Sequence, residues 1–225
     1  MKYISILGDS ISTFEGYNPE GYLVYYDRVT QLNNAISDVE DSWWMKVIRY
    51  LDGTLLVNDS YSGSRVSGKD FPSASCFQRL QNLAVQDKIP DIILVYMGYN
   101  DFGYEVRIPK IPMKDEDYGS FAFSYDLMLK RLSELYPSTT IICGTLMKTV
   151  WKEHDYWTYP SFCEGKDMAD YNNIIRKACQ KHSVLLADLE KTGLRYETLD
   201  TSHGTVLGQA TIAEAWIRCL NDIIL

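Results

Sequence analysis

A serine, two residues able to donate hydrogen bonds from turns, and a histidine three places after an aspartate follow one another along this chain. Ser10 comes directly after Gly8 and Asp9, at the end of the apolar run Ile4 to Leu7. A serine hydroxyl is a weak nucleophile until an adjacent base takes its proton. The chain has three histidines from which to draw that base. His182 falls at the end of a predicted helix, where a cation suits the helix dipole and the role is structural. His154 sits in an aromatic segment between Glu153 and Asp155 and reads as either solvated or pocket-lining. His203 follows Asp200 at a spacing that lets one short turn set the carboxylate against one ring nitrogen. The other nitrogen is then left to face a serine, with Asp200 as orienting acid. Acyl transfer also needs N–H groups aimed at a developing oxyanion, each typically worth ~10²–10³ in rate. Gly63 can offer a backbone N–H with no Cβ in the way, Asn100 a side-chain amide, and Ser10 its own N–H. Each is a common turn residue taken singly; their order at strand ends makes the set specific.

Those positions require a scaffold that brings strand ends together. Apolar runs at 4–7, 54–57, 92–97, 139–145 and 184–188 read as strands. Helical patterns at about 43–51, 74–86, 121–135, 168–181 and 206–222 separate or follow them, the first capped by Asp41-Ser42. The run Ile92 to Met97 is continuously apolar, as in strands buried on both faces. Strands alternating with helices imply right-handed crossovers and a parallel sheet. The expected fold is therefore an α/β three-layer α/β/α sandwich with a mostly parallel, flavodoxin-like sheet of about five strands, forming one domain over residues 1–225. The polar turns then gather at one edge, where ligands collect in open α/β sheets. Three long irregular segments (13–40, 102–120 and 146–167) leave the same edge.

Bulk properties narrow the field. Net charge is −8, without a Lys/Arg cluster, which argues against nucleic acid and anionic membrane as partners. No signal peptide or apolar span is legible. The five cysteines (Cys76, Cys143, Cys163, Cys179 and Cys219) lack CxxC spacing, and the reading is a cytoplasmic protein with reduced thiols. Gly63 to Lys69 imitates a phosphate-binding loop, but Asp70 stands where a Ser or Thr should hold magnesium. Ser12 occupies the place where a G-x-S-x-G elbow wants its second glycine. Asp38, Glu40 and Asp41 read as a helix-entry cluster, not a metal site, and no cofactor or metal is expected.

Taken together, the residues resemble the SGNH, or GDSL-type, serine esterases and acylhydrolases. Gly8-Asp9-Ser10 is similar to the family's first block, Asn58 through Gly63 to its second, Gly98-Tyr99-Asn100-Asp101 to its G-x-N-D block and Asp200-Thr201-Ser202-His203 to its closing D-x-x-H. The resemblance implies Ser10 as nucleophile, His203 as general base and then acid, Asp200 as its partner, and Ser10, Gly63 and Asn100 as the oxyanion hole. It also implies that Asp9 and Asp101 support the turns by bonding backbone N–H groups. Gly204 departs from the pattern, which often has proline after the histidine.

A small-molecule ester is the implied substrate. The Tyr- and Trp-rich long segments offer flat faces suited to sugar rings, so deacetylation of an acetylated sugar or oligosaccharide is the working expectation, against the reading that these aromatics merely pack the loops. Lipase or lysophospholipase, thioesterase, and acyl transfer to a sugar or alcohol are the alternatives. A non-catalytic small-ligand binding module is the rival from another class.

Overall fold

The run Ile92–Tyr96 forms the middle of the sheet because nothing along it can tolerate water. Its residues are all buried, and each such side chain contributes roughly 1.5–3 kcal/mol over an exposed position. The computed structural model describes residues 2–32, 36–108, 117–151, 162–163 and 166–224. His154, Tyr156, Trp157, Tyr159, Pro109 and Pro112 lie outside the described residues.

In chain order the strands and α-helices are β1 (Lys2–Gly8), α1 (Arg28–Leu32), α2 (Trp43–Tyr50), β2 (Gly53–Ser60), α3 (Phe77–Gln81), β3 (Ile92–Tyr96), α4 (Tyr99–Gly103), α5 (Phe121–Leu135), β4 (Thr140–Gly144), β5 (Thr149–Trp151), β6 (Phe162–Cys163), β7 (Lys166–Asp167), α6 (Met168–His182), β8 (Leu185–Ala187), β9 (Tyr196–Thr198) and α7 (Val206–Ile224). The main sheet has the order β2-β1-β3-β4-β8 and is parallel throughout. Helix α2 packs on α7, while α5 packs on α3 and α6. Between α2, α7 and the sheet, Trp43 stacks on Trp216 at 5.2 Å and both meet the edge of the Tyr96 ring. The five-stranded α/β sandwich expected from the sequence is thus the fold observed.

Two local expectations need correction. The helix expected over 74–86 is α-helical only from Phe77 to Gln81, because the chain doubles back: Gln86 has a φ of +52° and Val85 bridges Lys88. The long segments expected to be irregular hold short elements, α1 in the first and β5 to β7 in the third, and α4 runs from the third turn into the second segment. Strand β5 pairs in parallel with β9, so the start of the third long segment is stitched to the approach to Asp200. Helix α2 begins as expected, with Ser42 Oγ accepting from Met45 N at 3.3 Å. Asp38 caps the turn before it, Glu40 pairs with Arg49, and Asp41 pairs with Lys46 at 3.3 Å. Cys76, Cys143, Cys179 and Cys219 are free and buried.

Candidate active site

The C-terminal ends of β1, β2 and β3 meet at one edge, and sterics fix what can stand there. At Gly8 a Cβ would lie 2.6 Å from Ser12 Cβ and 2.6 Å from Ser60 Oγ, so only glycine lets β1 turn between its neighbours. The chain then enters a single 3₁₀ turn, Ser10–Ser12, capped by Asp9, whose Oδ1 accepts from Ile11 N at 3.0 Å. Ser12 is buried and accepts from Trp43 Nε1 at 3.0 Å. Ser10 itself is 7% exposed.

The second turn, after β2, contains Gly63, whose φ of +77° and open Cβ space suit glycine. The third turn holds it in place. Asn100 Nδ2 donates to Ser64 O at 2.9 Å, and Asp101 accepts from Val66 N at 2.7 Å and Ser67 N at 2.9 Å. An amide group has two N–H donors, so Asn100 retains one beyond its bond to Ser64.

The histidine loop lies between β9 and α7. Asp200 accepts from the backbone N–H of Ser202 at 2.7 Å and of His203 at 2.8 Å, a tight Asx-type turn. His203 Nδ1 lies 2.7 Å from Asp200 Oδ2. Burial would raise the Asp200 carboxyl, but hydrogen bonding and charge from His203, with the two backbone N–H groups, hold it well below the usual range. The other ring nitrogen, Nε2, is buried without a hydrogen-bond partner among the described residues. That nitrogen is the one a base would use, and its bond to a nucleophile is often long until substrate binds.

Residues that sequence reasoning did not single out join the turn of Ser10 to the histidine loop. Gln209 of α7 donates to Ile11 O at 3.0 Å and to Tyr26 Oη at 2.9 Å, and its Oε1 accepts from Trp43 N at 2.9 Å. Tyr26 in turn donates to Gly204 O at 2.9 Å, which restrains the position where proline would have been the rigid choice. Tyr196 donates to Ser202 O at 2.9 Å. Tyr25 stacks on the His203 ring and donates to Asp200 Oδ2 at 3.1 Å. Asn18 donates to Asn58 O at 3.1 Å and Ser60 O at 3.0 Å, tying the first long segment to β2. None of these had a readable signal beyond membership of an aromatic or polar stretch.

Beneath the three turns lies a buried charged floor. Arg79, fully buried, donates to Gly8 O at 2.6 Å and Asp59 O at 3.0 Å, and its Nε stands 3.7 Å from Asp59 Oδ2. Burial pushes the Asp9 carboxyl up to about 7; Ile11 N–H and Arg79 pull it down, and Asp101 pushes it further up. Asp101 and Asp59 are raised too, chiefly by burial. A metal site does not follow from these carboxylates. Among the described residues no group of three His, Cys, Asp or Glu side chains could hold an ion.

A model of the GDSL-like lipase/acylhydrolase family matches residues 2–193. The chain belongs to that family. As a GDSL-like acylhydrolase it is an enzyme acting on ester bonds, and the match covers the first three turns while ending short of Asp200 and His203. Solved structures agree on the fold. A protein described as a GDSL-like lipase from Bacteroides ovatus is 22% identical, with 99% of each chain covered and a TM-score of 0.74. Another so described, from Bacteroides uniformis, is 26% identical over 98% of this chain and 96% of that one, with a TM-score of 0.71. A family 3 carbohydrate esterase of Clostridium thermocellum is 13% identical, covering 99% and 96%, at a TM-score of 0.62. No curated protein sequence matches this chain. Among the described residues no helix is long and apolar enough to cross a membrane.

Proposed function

We propose that this acylhydrolase cleaves small acyl esters through Ser10, His203 and Asp200. The observation that carries the reading is the state of His203: one ring nitrogen is held by Asp200 at 2.7 Å, and the other is buried without a partner. It sits in a loop bonded through Tyr26 and Gln209 to the turn of Ser10.

The sequence of events follows from those roles. Ser10 Oγ attacks the ester carbonyl carbon while its proton passes to His203 Nε2, and Asp200 stabilises the imidazolium. The carbonyl oxygen becomes an oxyanion, met by the N–H groups of Ser10 and Gly63 and the remaining Asn100 amide proton. Collapse breaks the bond to the alcohol oxygen, which leaves with the proton from His203. Water then attacks the acyl-serine, giving its proton to the same nitrogen, and the acid departs as Ser10 recovers its proton. Asp9 and Asp101 touch no substrate in this scheme; they hold the first and second turns.

For the substrate we retain acetylated sugars or oligosaccharides. The carbohydrate esterase among the fold neighbours and the Tyr22, Tyr61 and Phe71 cluster, with ring centroids 5.3–5.4 Å apart beside the second turn, support this reading. Other aromatics of the long segments have structural partners instead: Trp151 donates to Leu199 O at 3.0 Å, and Tyr25 and Tyr26 serve the histidine loop. The four free buried cysteines among the described residues support a cytoplasmic enzyme.

A fluorophosphonate probe tests the nucleophile. A covalent adduct on Ser10 of the folded protein, absent from Ser10→Ala, is expected; an unlabelled Ser10 overturns the reading. On nitrophenyl esters, activity should be highest for acetyl, and a clear preference for chains of about eight carbons or more contradicts the substrate assignment.

A further inference from the structure

Tyr25 touches two members of the proposed triad and reaches the third through one hydroxyl. Its ring lies parallel to the His203 imidazole, with centroids 3.3 Å apart and planes at 6°. Its hydroxyl donates to Asp200 Oδ2 at 3.1 Å, the same oxygen that faces His203 Nδ1. Its backbone N–H donates at 2.9 Å to Thr13 Oγ1, which itself donates to Ser10 O at 2.9 Å. One residue thus braces the base from its face, the acid from its side and the nucleophile turn through one hydroxyl.

The geometry of the stack has a chemical meaning. Two neutral aromatic rings prefer an offset or edge-to-face arrangement over a parallel sandwich, because their negative faces repel. A cation over a tyrosine face is attracted instead. The Tyr25 face is therefore placed where it would attract an imidazolium, the species that forms as Ser10 loses its proton. An interaction stronger in that state than in the resting enzyme lowers the barrier and does not merely tighten binding.

We propose that Tyr25 is the positioning residue of this site, one that fixes the His203–Asp200 pair and favours the imidazolium formed during acyl transfer. The inference rests on the triad assignment above. The two halves of the side chain pull in opposite directions on the base. The ring favours imidazolium, whereas the hydroxyl draws negative charge from Asp200 and weakens its hold on the proton. The other titratable groups around this pair are Asp27, which acts on Tyr25 from the same segment; Tyr26, edge-on to His203 at 6.4 Å; and Glu197 of β9, whose Oε1 accepts from Thr205 at 2.7 Å.

The test uses the rate at which the fluorophosphonate labels Ser10, followed against pH, so no natural substrate is needed. Tyr25→Phe keeps the ring and removes the bond to Asp200. It should slow labelling by about 2- to 10-fold, the range of one hydrogen bond, and move the acid limb of the profile to higher pH. Tyr25→Leu removes both halves. It should slow labelling by roughly a further 2- to 10-fold, as expected for one lost aromatic contact, with an acid limb at lower pH than in Tyr25→Phe. Thermal unfolding of each variant accompanies the measurement; the Phe variant alone decides if the Leu variant does not fold. Labelling in Tyr25→Phe at the wild-type rate with an unmoved acid limb overturns the role of Tyr25 and leaves the triad standing. A wild-type Ser10 that takes no label overturns the triad itself.

Discussion

Two histidines in this protein each hold an aspartate at hydrogen-bond distance, at opposite ends of the sheet. His203 Nδ1 lies 2.7 Å from Asp200, and His182 Nε2 lies 2.9 Å from Asp126. Both aspartates are pulled below the ordinary range, because partners outweigh the upward push of burial. The partners differ. Asp126 is also bound by Lys181, 2.7 Å away, so a permanent cation already answers its charge. Asp200 has neutral donors around it, two backbone N–H groups and the Tyr25 hydroxyl, which leaves its charge for an imidazolium. His182 ends α6 and anchors it to α5, whereas His203 stands in a loop tied to a serine. Distance alone does not separate the two pairs; the company of each carboxylate is what sets the proposed base apart from the proposed brace.

The strongest way to break this contrast is to exchange the fates of the pairs. His203→Gln should lower kcat by ~10⁴-fold or more, and Asp200→Asn by about 10⁴. His182→Gln and Asp126→Asn should leave kcat and KM within about twofold, while costing roughly 1 kcal/mol in denaturant unfolding, the scale of a lost hydrogen bond. Equal losses of activity at both ends would erase the distinction. Asn100→Ala comes next, with an expected loss of ~10²–10³ in kcat and little change in KM, as for a donor used in the transition state. Full kcat in that variant would remove Asn100 from the oxyanion hole.

A pH effect sets the floor of the site against both pairs. Asp200 and Asp126 sit below the ordinary aspartate value when folded. Their contribution to stability is present above about pH 4 and is lost as pH falls through their folded values. Asp9 has the opposite sign. Folding raises it from 3.8 to about 7, so its contribution is complete below the lower value and is lost as pH rises to the upper. Unfolding free energies of Asp9→Asn, measured against pH, should lack a component of up to about 1.4 kcal/mol per pH unit between pH 4 and 7. An identical pH dependence in the variant would show that Asp9 does not titrate in that window.

What could be read from the sequence was chemistry carried by local spacing. Asp200 and His203 lie within one turn, Ser10 follows a strand end, and the run at Ile92 needs no context to be buried. The helix at 74–86 was misjudged because its apolar residues continue past Gln81 into a reversal that only the bridge from Val85 to Lys88 reveals. Strands of two or three residues, such as β5, carry too few side chains to display a period. The supports escaped for a different reason. Arg79 looks like a surface residue of a helix until the strand ends it caps are known, and Tyr25 is one tyrosine among several. Gln209 lies 198 positions from its partner Ile11, a separation across which sequence pattern carries no information.

That separation bears on when the enzyme comes alive. Gln209 on the final helix bonds both the turn of Ser10 and the Tyr26 hydroxyl that holds the histidine loop, so the two parts of the proposed triad are joined only after α7 has docked. Contacts this remote in sequence are formed late, since the intervening chain must lose its freedom first. On the proposed triad, a partly folded molecule carries an ordinary, unreactive serine, and ester cleavage begins only once α7 is in place.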